Sequence, residues 1–311
     1  MNVRIGSTVN SADSASIGRS RRPSLTPYVF AAPALVLTVV VLFLPMIYAF
    51  GLSFFQYSIA RPRPNPPFVG LSNYADVLVH SGFVFSVWVT IVYTLVAVAL
   101  EFGLGLAFAL LLNREFRLQG VVRTLLMLPL FLTPIVVGLI WTLIYTPNNG
   151  VLSATIAALR LGGPTAWLGE PSTAMPAVIL VDVWQNTPFM FLVLLAGLQS
   201  LPPHVYEAAA IDGASSWQTL VNVTLPMLKP LILVALIIRG MDAFRAFDTI
   251  YLLTGGGPGV LTQVISLTVY YIAFQTYDLG LSSAASFIVL VLVLGFSIFF
   301  VRELHHAQLE A

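Results

Sequence analysis

The sequence predicts an all-α protein that crosses a membrane six times, and three observations support this prediction. Of the 311 residues, 58% are hydrophobic and only 9% are charged, whereas a soluble domain carries about 25% charged residues. The apolar residues are gathered in long runs, and about 20 residues of helix cross a bilayer. The alternating pattern of a membrane barrel is absent, so helices must satisfy the backbone in lipid.

The apolar runs divide the chain into a six-span domain, residues 28–302, and two tails. The spans cover approximately 28–55, 83–112, 121–146, 175–200, 226–253 and 282–302. Pro45 and Pro134 should kink or open the first and third spans, because proline lacks a backbone N–H. Residues 1–27 are polar and predict a disordered tail, and the first apolar run is too long for a cleaved signal peptide. Residues 303–311 form the second tail.

The Lys and Arg residues predict which side of the membrane each connection faces. With the N-terminus inside, the inner segments hold Arg4, Arg19, Arg21, Arg22, Arg114, Arg117, Arg123, Lys229 and Arg302. The outer segments hold Arg61, Arg63 and Arg160. Basic residues collect on the cytoplasmic side, so both termini are predicted to be cytoplasmic.

Several function classes are excluded by composition. The chain has no cysteine and a net charge of +1, which argues against thiolate chemistry and against a nucleic-acid partner. The histidines lack the helical spacing of a metal site. We find no nucleophile with its base and no glycine-rich loop followed by lysine. The sequence therefore predicts no catalytic residue, metal or cofactor, and any ATP must be handled by another chain.

An acidic segment, about residues 202–226, lies in a predicted cytoplasmic connection. Pro202 and Pro203 suit the start of a short helix, Gly213 should end it, and Ser215 should cap a second one before Pro226 turns the chain into the fifth span. A helix lying on lipid would favour basic residues, whereas this segment carries Glu207 and Asp212. We therefore favour docking on a basic groove of a protein partner, with lipid contact as the alternative.

Charged residues inside the fifth predicted span form a ladder with a spacing of three. The ladder consists of Arg239, Asp242, Arg245 and Asp248. Successive members are neighbours on a helix, and Arg239 should lie near the middle of the membrane. Intramembrane charges are expensive and often functional. The ladder therefore either neutralises itself in a structural helix or lines a solute path.

The fourth span carries a second polar face. Asp182, Gln185, Asn186 and Phe189 lie at offsets of 0, 3, 4 and 7, which place them on one side of a helix. Carboxylate and amide groups beside an aromatic ring suit a sugar, and interhelical hydrogen bonding is the alternative. Glu101 in the second span is either a substrate group or a partner for an arginine.

The segment 202–226 resembles the EAA motif of ATP-binding cassette importer permeases. The matching residues are Glu207-Ala208-Ala209, Gly213, Val223, where the pattern has isoleucine, and Leu225-Pro226. Further stretches resemble the carbohydrate branch of these permeases, which serves maltose, glycerol-phosphate and trehalose uptake. They are Asp182-x-Trp184 with Thr187-Pro188-Phe189, and Phe247-Asp248-Thr249-Ile250-Tyr251 running to Thr254-Gly255-Gly256-Gly257-Pro258.

This resemblance implies a six-helix permease bundle of a type I ABC importer in the bacterial inner membrane. The motif would form a coupling helix on an ATPase dimer that binds ATP and Mg²⁺, with contacts from Glu207, Ala208, Ala209, Asp212 and Gly213. The partners implied are a second, related permease that completes a heterodimer, an extracytoplasmic sugar-binding protein, membrane lipid and a sugar, a di- or oligosaccharide of the trehalose or maltose type. The alternative is a secondary transporter or channel that works alone on a small polar solute.

Overall fold

The computed structural model describes residues 26–80, 82–114, 116–159 and 166–309, so most of the predicted N-terminal tail lies outside the described residues. The α-helices are α1 Thr26–Leu52, α2 Ser72–His80, α3 Phe83–Leu112, α4 Gln119–Met127, α5 Pro134–Ile144, α6 Val151–Ala158, α7 Ala174–Ser200, α8 Pro203–Ile211, α9 Ser216–Thr219, α10 Leu225–Phe244, α11 Asp248–Leu253, α12 Ile265–Phe274 and α13 Leu279–Leu309. The all-α prediction is confirmed within these ranges, where bridges such as Phe55–Phe68 are isolated.

Five of the described helices are long and apolar enough to cross a membrane, and a bent pair raises the number to six. The second and fourth predicted spans agree with α3 and α7 almost to the residue. Helix α13 runs to Leu309, so the sixth span continues into the predicted C-terminal tail. The described residues up to Ala49 and those from Phe50 onward fall into two compact units. The described apolar side chains of the first unit, such as Leu35 and Leu42, are exposed.

The third span is not one helix. The segments Gln119–Phe131 and Pro134–Ile144 meet at an angle of 100°. Thr133 is extended, with φ −69° and ψ 145°, because the residue before a proline is disfavoured in the helical region. The prediction that Pro134 opens this span is confirmed, and the opening divides the predicted span 121–146 into two segments.

The boundaries of the fifth span also differ from the prediction. The helix begins at Ser216 and passes through Pro226, because a π turn at Leu220–Thr224 relieves the strain that proline imposes on the preceding turn. It ends at Phe244, and Asp248 opens a separate helix, α11. The turn predicted at Pro226 is therefore absent. The ladder from Arg239 to Asp248 follows one helix only as far as its C-cap, Arg245.

Helices α3 and α7 pack closely because small residues line their contact. A Cβ atom added to Gly105 of α3 would lie 2.6 Å from Met190 Cβ and 3.0 Å from the Phe191 nitrogen. Farther along the two helices, Tyr93, Ala97, Val178 and Val181 form part of a buried cluster. Small residues let helix backbones approach where lipid supplies no hydrophobic driving force. This contact fixes α7, which carries the polar face described below, against α3.

We expect Gly105→Val to destabilise the protein by about 1–3 kcal/mol, because an overpacked interface must shift backbone atoms. Gly103→Val is the matched control, since a Cβ at Gly103 meets nothing within 4 Å. Thermal unfolding of the purified protein in detergent measures the difference. Equal melting temperatures for the two variants would show that the α3–α7 contact is looser than described.

A tight turn rich in glycine follows α11. Gly255, Gly256 and Gly259 have φ angles of 55°, 89° and 60°, a region that residues other than glycine rarely adopt. The turn is fixed by a hydrogen bond from the Tyr271 hydroxyl to the Gly255 carbonyl at 2.7 Å. It leads into α12, a helix of ten residues that the sequence prediction treated as part of a loop.

Candidate functional site

A polar cavity of about 320 Å³ lies where α7, α10 and the start of α11 meet. Its lining includes Asp182, Gln185, Asn186, Arg239, Asp242, Arg245, Phe247 and Asp248. All four members of the predicted ladder and three of the four residues of the predicted α7 face therefore come together around one space. A larger cavity of about 710 Å³ has almost wholly apolar walls, with Trp141 and Trp184 among them. The smaller cavity is the candidate site because it offers hydrogen-bonding groups to a polar solute.

A buried charge cluster forms the floor of this cavity. Arg239 Nη2 donates to Glu101 Oε1 at 2.9 Å and to Asp182 Oδ2, and Arg239 Nε lies 2.7 Å from Glu101 Oε2. The exposed fractions of the Glu101, Arg239 and Asp182 side chains are 0%, 4% and 12%. The guanidinium thus joins α3, α7 and α10, because its planar fork can face two carboxylates at once.

Two of the predicted solute-path residues lie away from the cavity surface. Glu101 is fully buried behind Arg239, so of its two predicted roles it takes that of an arginine partner. Phe189 is partly buried and packs against the main hydrophobic cluster. Three of the four residues of the predicted α7 face therefore line the cavity, and their role in a solute path stays a prediction. The fourth lies two turns along, where the helix packs on its neighbours.

The polar groups on α7 are held in different ways. Asn186 Nδ2 donates to Asp182 Oδ1 at 2.9 Å, which orients both side chains at the cavity wall. Gln185 Nε2 donates to the Leu132 carbonyl at 3.1 Å. This carbonyl lies at the break between α4 and α5, so Gln185 satisfies a backbone group that the bend exposes.

Asp242 and Arg245 form the exposed rim of the cavity, with side-chain exposures of 67% and 64%. Their charges lie 3.7 Å apart, and Arg239 Nη1 lies 3.8 Å from Asp242. The prediction that successive ladder members are neighbours is confirmed for these pairs. Phe247 also lines the cavity, and the sequence reasoning did not assign it there. The sequence did point to Phe247, because this residue begins the stretch that resembles the carbohydrate permeases.

The segment after α7 forms a second candidate region, where a helix ends in a well-defined cap. The Ala214 N–H donates to the Ala209 carbonyl at 3.0 Å, and the Gly213 N–H donates to the Ala210 carbonyl at 3.1 Å. This pair of bonds is a Schellman motif, and its left-handed position is Gly213, with φ 72°. Ser215 and Gln218 then form a capping box. The helix end predicted at Gly213 and the helix start predicted at Ser215 are both confirmed.

The exposed face of this segment combines acidic, small and large apolar residues. Glu207, Ala208, Asp212 and Gly213 are exposed, whereas Ala209 is buried with 8% exposure and faces the protein. Ile211 and Trp217 are 86% and 71% exposed, respectively. The sequence reasoning did not single out these two side chains. Their signal was an isoleucine and a tryptophan within an otherwise polar connection, which is typical of interface anchors.

Within the described ranges, no group of three or more His, Cys, Asp and Glu residues comes together as a metal site. The carboxylates of the polar cavity face guanidinium and amide groups. The arrangement can bind a polar solute through hydrogen bonds. It resembles a recognition surface inside a helical bundle.

The fold and the site define a multi-pass helical membrane component with a polar cavity in its bundle. The chain belongs to the family of binding-protein-dependent transport system inner membrane components, which it matches over residues 101–310. It is therefore a permease component of an ABC transporter. This confirms the family resemblance and the predicted permease fold.

Individual relatives agree with this assignment. The chain is 42% identical over 278 residues to the trehalose/maltose transport system permease protein MalF of Thermococcus litoralis, covering 88% of this chain and 92% of that protein. It is 38% identical over 275 residues to the trehalose transport system permease protein SugA of Mycobacterium tuberculosis, covering 88% and 87%. A chain in the crystal structure of a bacterial alginate ABC transporter, in complex with alginate pentasaccharide-bound periplasmic protein, superposes with a TM-score of 0.77 at 25% identity, covering 88% and 92%.

Proposed function

We propose that this chain is a permease subunit of an ATP-driven sugar importer and forms half of the translocation path. The observation that carries the proposal is the polar cavity between α7, α10 and α11, in a chain whose relatives are named as sugar permeases. Asp182 and Asn186 would bind sugar hydroxyl groups from the cavity wall, with Gln185 behind them. Asp242 and Arg245 would meet the sugar at the rim. Arg239 and Glu101 would hold Asp182 in position.

The charge balance of the cavity supports a neutral sugar. Arg239 is engaged by Glu101 and Asp182, and Arg245 lies near Asp242. Each arginine at the cavity is thus paired with a carboxylate, and none is left over for an anionic substrate group. A neutral di- or oligosaccharide of the trehalose or maltose type fits these walls, because hydroxyl groups both donate to carboxylates and accept from guanidinium groups.

The segment 202–226 would couple the permease to a separate ATPase dimer, which binds ATP and Mg²⁺. Glu207, Ala208, Asp212 and Gly213 present an acidic surface of small residues, and the exposed Ile211 and Trp217 add apolar anchors. Ala209 would support this surface from inside. An exposed tryptophan among small residues suits a protein groove, since buried aromatic anchors contribute much of the binding energy at interfaces.

The remaining partners belong to the same proposal. A second, related permease would complete the path as a heterodimer, and a sugar-binding protein would dock on the outer connections. The protein would lie in the bacterial cytoplasmic membrane with both termini inside, as the distribution of Lys and Arg indicates. Its small net charge of +1 gives no support to a nucleic-acid partner.

The proposal is tested with the complete complex in proteoliposomes. We expect the sugar-loaded binding protein to stimulate ATP hydrolysis, and we expect an ATPase of two copies to co-purify with the permease after mild detergent extraction. A secondary transporter or channel would show neither property. Absence of stimulation by binding protein loaded with any sugar of a broad panel would overturn the importer proposal.

We expect two neighbouring amides on α7 to separate binding from folding. Asn186→Ala should raise the KM for sugar uptake by about threefold to tenfold, which corresponds to one lost hydrogen bond, and lower the melting temperature less than Gln185→Ala does, because Asp182 keeps its bond from Arg239. Gln185→Ala, the matched control, should lower the free energy of unfolding by about 1–3 kcal/mol, because the Leu132 carbonyl loses its partner. Uptake kinetics and thermal unfolding of both variants check this. Identical behaviour of the two variants would contradict the assignment of Asn186 to the path.

A further inference from the structure

An aromatic surface borders the polar cavity and has no part in the function proposed so far. Phe247 and Tyr251, one turn apart, stack with their ring centroids 5.4 Å apart and their planes at 11°. Tyr270 of α12 supports both rings, with centroid distances of 5.1 Å to Phe247 and 5.4 Å to Tyr251. We call these three residues the aromatic ledge.

The ledge is continuous with the polar cavity through Phe247, which belongs to both. Helix α10 ends at Phe244, and the chain then turns to place Phe247 before α11. A helix that continued straight would have no such opening. The ledge therefore lies where the broken fifth span gives access to the cavity.

The exposure of the rings shows that the ledge is an accessible surface. Tyr251 is 41% exposed, and Phe274, which packs on Tyr270 at 5.1 Å, is 62% exposed. Aromatic rings that serve only the core are buried by their neighbours. Here Tyr270 packs against both Phe247 and Tyr251, and Tyr251 stays exposed.

We propose that the aromatic ledge is a second sugar subsite, on which one sugar ring stacks before it enters the polar cavity. This inference rests on the proposed function of the chain. The C–H face of a sugar ring packs on an aromatic ring, and the Tyr251 hydroxyl can hydrogen-bond to the sugar's own hydroxyl groups. The ledge has no charged side chain, so it does not compete with the charged groups of the cavity for the sugar. The sugar can therefore move from the ledge to the cavity.

Two other roles are open to exposed tyrosines in a membrane protein, and the test must separate them. Tyrosine collects at the membrane–water interface, and an aromatic surface can also contact the second permease. Phe85 of α3 is the matched control for the first role, because it is 42% exposed and lies near the end of α3 that the proposed orientation places outside.

The experiment compares Tyr251→Ala, Tyr251→Phe and Phe85→Ala in the complete complex, with maltose and trehalose as probes. Direct sugar binding is followed by saturation-transfer NMR without the binding protein, and uptake with it. We expect Tyr251→Ala to weaken binding and to raise the KM for uptake by about threefold to tenfold, as expected for one lost ring contact. Tyr251→Phe should retain most of both, and Phe85→Ala should change neither.

Unchanged binding and uptake in Tyr251→Ala would overturn the subsite, as would equal effects of Tyr251→Ala and Phe85→Ala. Loss of the second permease from the purified Tyr251→Ala complex would also overturn it, because the ledge would then be a subunit contact. If the unaltered complex binds neither sugar and no loaded binding protein stimulates its ATPase, the sugar-importer proposal itself fails. That result differs from every failure of the ledge alone, in which the unaltered complex still binds a sugar and remains active.

Discussion

Gly213→Trp is expected to abolish ATP-driven uptake while the chain still folds and inserts. A Cβ atom at Gly213 meets nothing within 4 Å in this subunit, so a large side chain there would project outward from the exposed segment. If the segment sits in a groove of the ATPase, the indole ring would prevent close seating. We expect at least about a tenfold loss of sugar-stimulated ATP hydrolysis, which corresponds to about 1.4 kcal/mol of lost contact. ATPase assays on the reconstituted complex measure it.

Gly213→Ala is the matched control for this variant. Both substitutions force a side chain into the left-handed conformation of Gly213, φ 72°, at a cost of about 1–2 kcal/mol. Only tryptophan adds bulk beyond the Cβ atom. We therefore expect Gly213→Ala to lower stability slightly and retain most of its coupling. Normal uptake by Gly213→Trp would show that this segment faces lipid or water rather than a partner.

The second large effect is expected at Arg239. Arg239→Met would leave Glu101 and Asp182 buried without their cation, and breaking a buried ion pair in this way costs about 3–5 kcal/mol. We expect a marked fall in melting temperature and, in consequence, little folded permease in the membrane. Arg239→Lys should also be destabilising, because a single ammonium group cannot reproduce the bonds that the guanidinium makes to both carboxylates.

The controls for Arg239 separate a buried charge from an exposed one. Arg245→Met should change the free energy of unfolding by less than about 1 kcal/mol, since the Arg245 side chain is 64% exposed and its pair with Asp242 is solvated. Adding Glu101→Gln to Arg239→Met should recover part of the lost stability, because one unpaired buried charge is removed. Equal melting temperatures for Arg239→Met and Arg245→Met would mean that the cluster is solvated rather than buried.

The helices that the sequence predicts best are those fixed by strong local signals. Helices α3 and α7 follow from their apolar runs, and the cap at Gly213 follows from a glycine after three alanines. The α7 face of Asp182, Gln185 and Asn186 follows from helical spacing alone. In these places, local propensity and tertiary packing favour the same structure.

The misses arise where packing decides between alternatives that the sequence leaves equal. No proline or glycine lies between Phe244 and Asp248, yet the helix of the fifth span ends there. The chain continues as the separate helix α11, which is held by its tertiary contacts. Pro226, in contrast, lies inside a continuous helix because a π turn accommodates it. The burial of Glu101 behind Arg239 joins residues 138 positions apart. Helical spacing within either span cannot show such a contact.

The most direct test of the central claim is uptake of radiolabelled maltose and trehalose into proteoliposomes that contain the complete complex. ATP is placed inside or left out, and the binding protein is added outside or left out. The proposal predicts accumulation of at least one of these sugars only when both ATP and the binding protein are present, with loss of accumulation in Gly213→Trp. Uptake of either sugar by the permease without ATP or the ATPase would contradict the account.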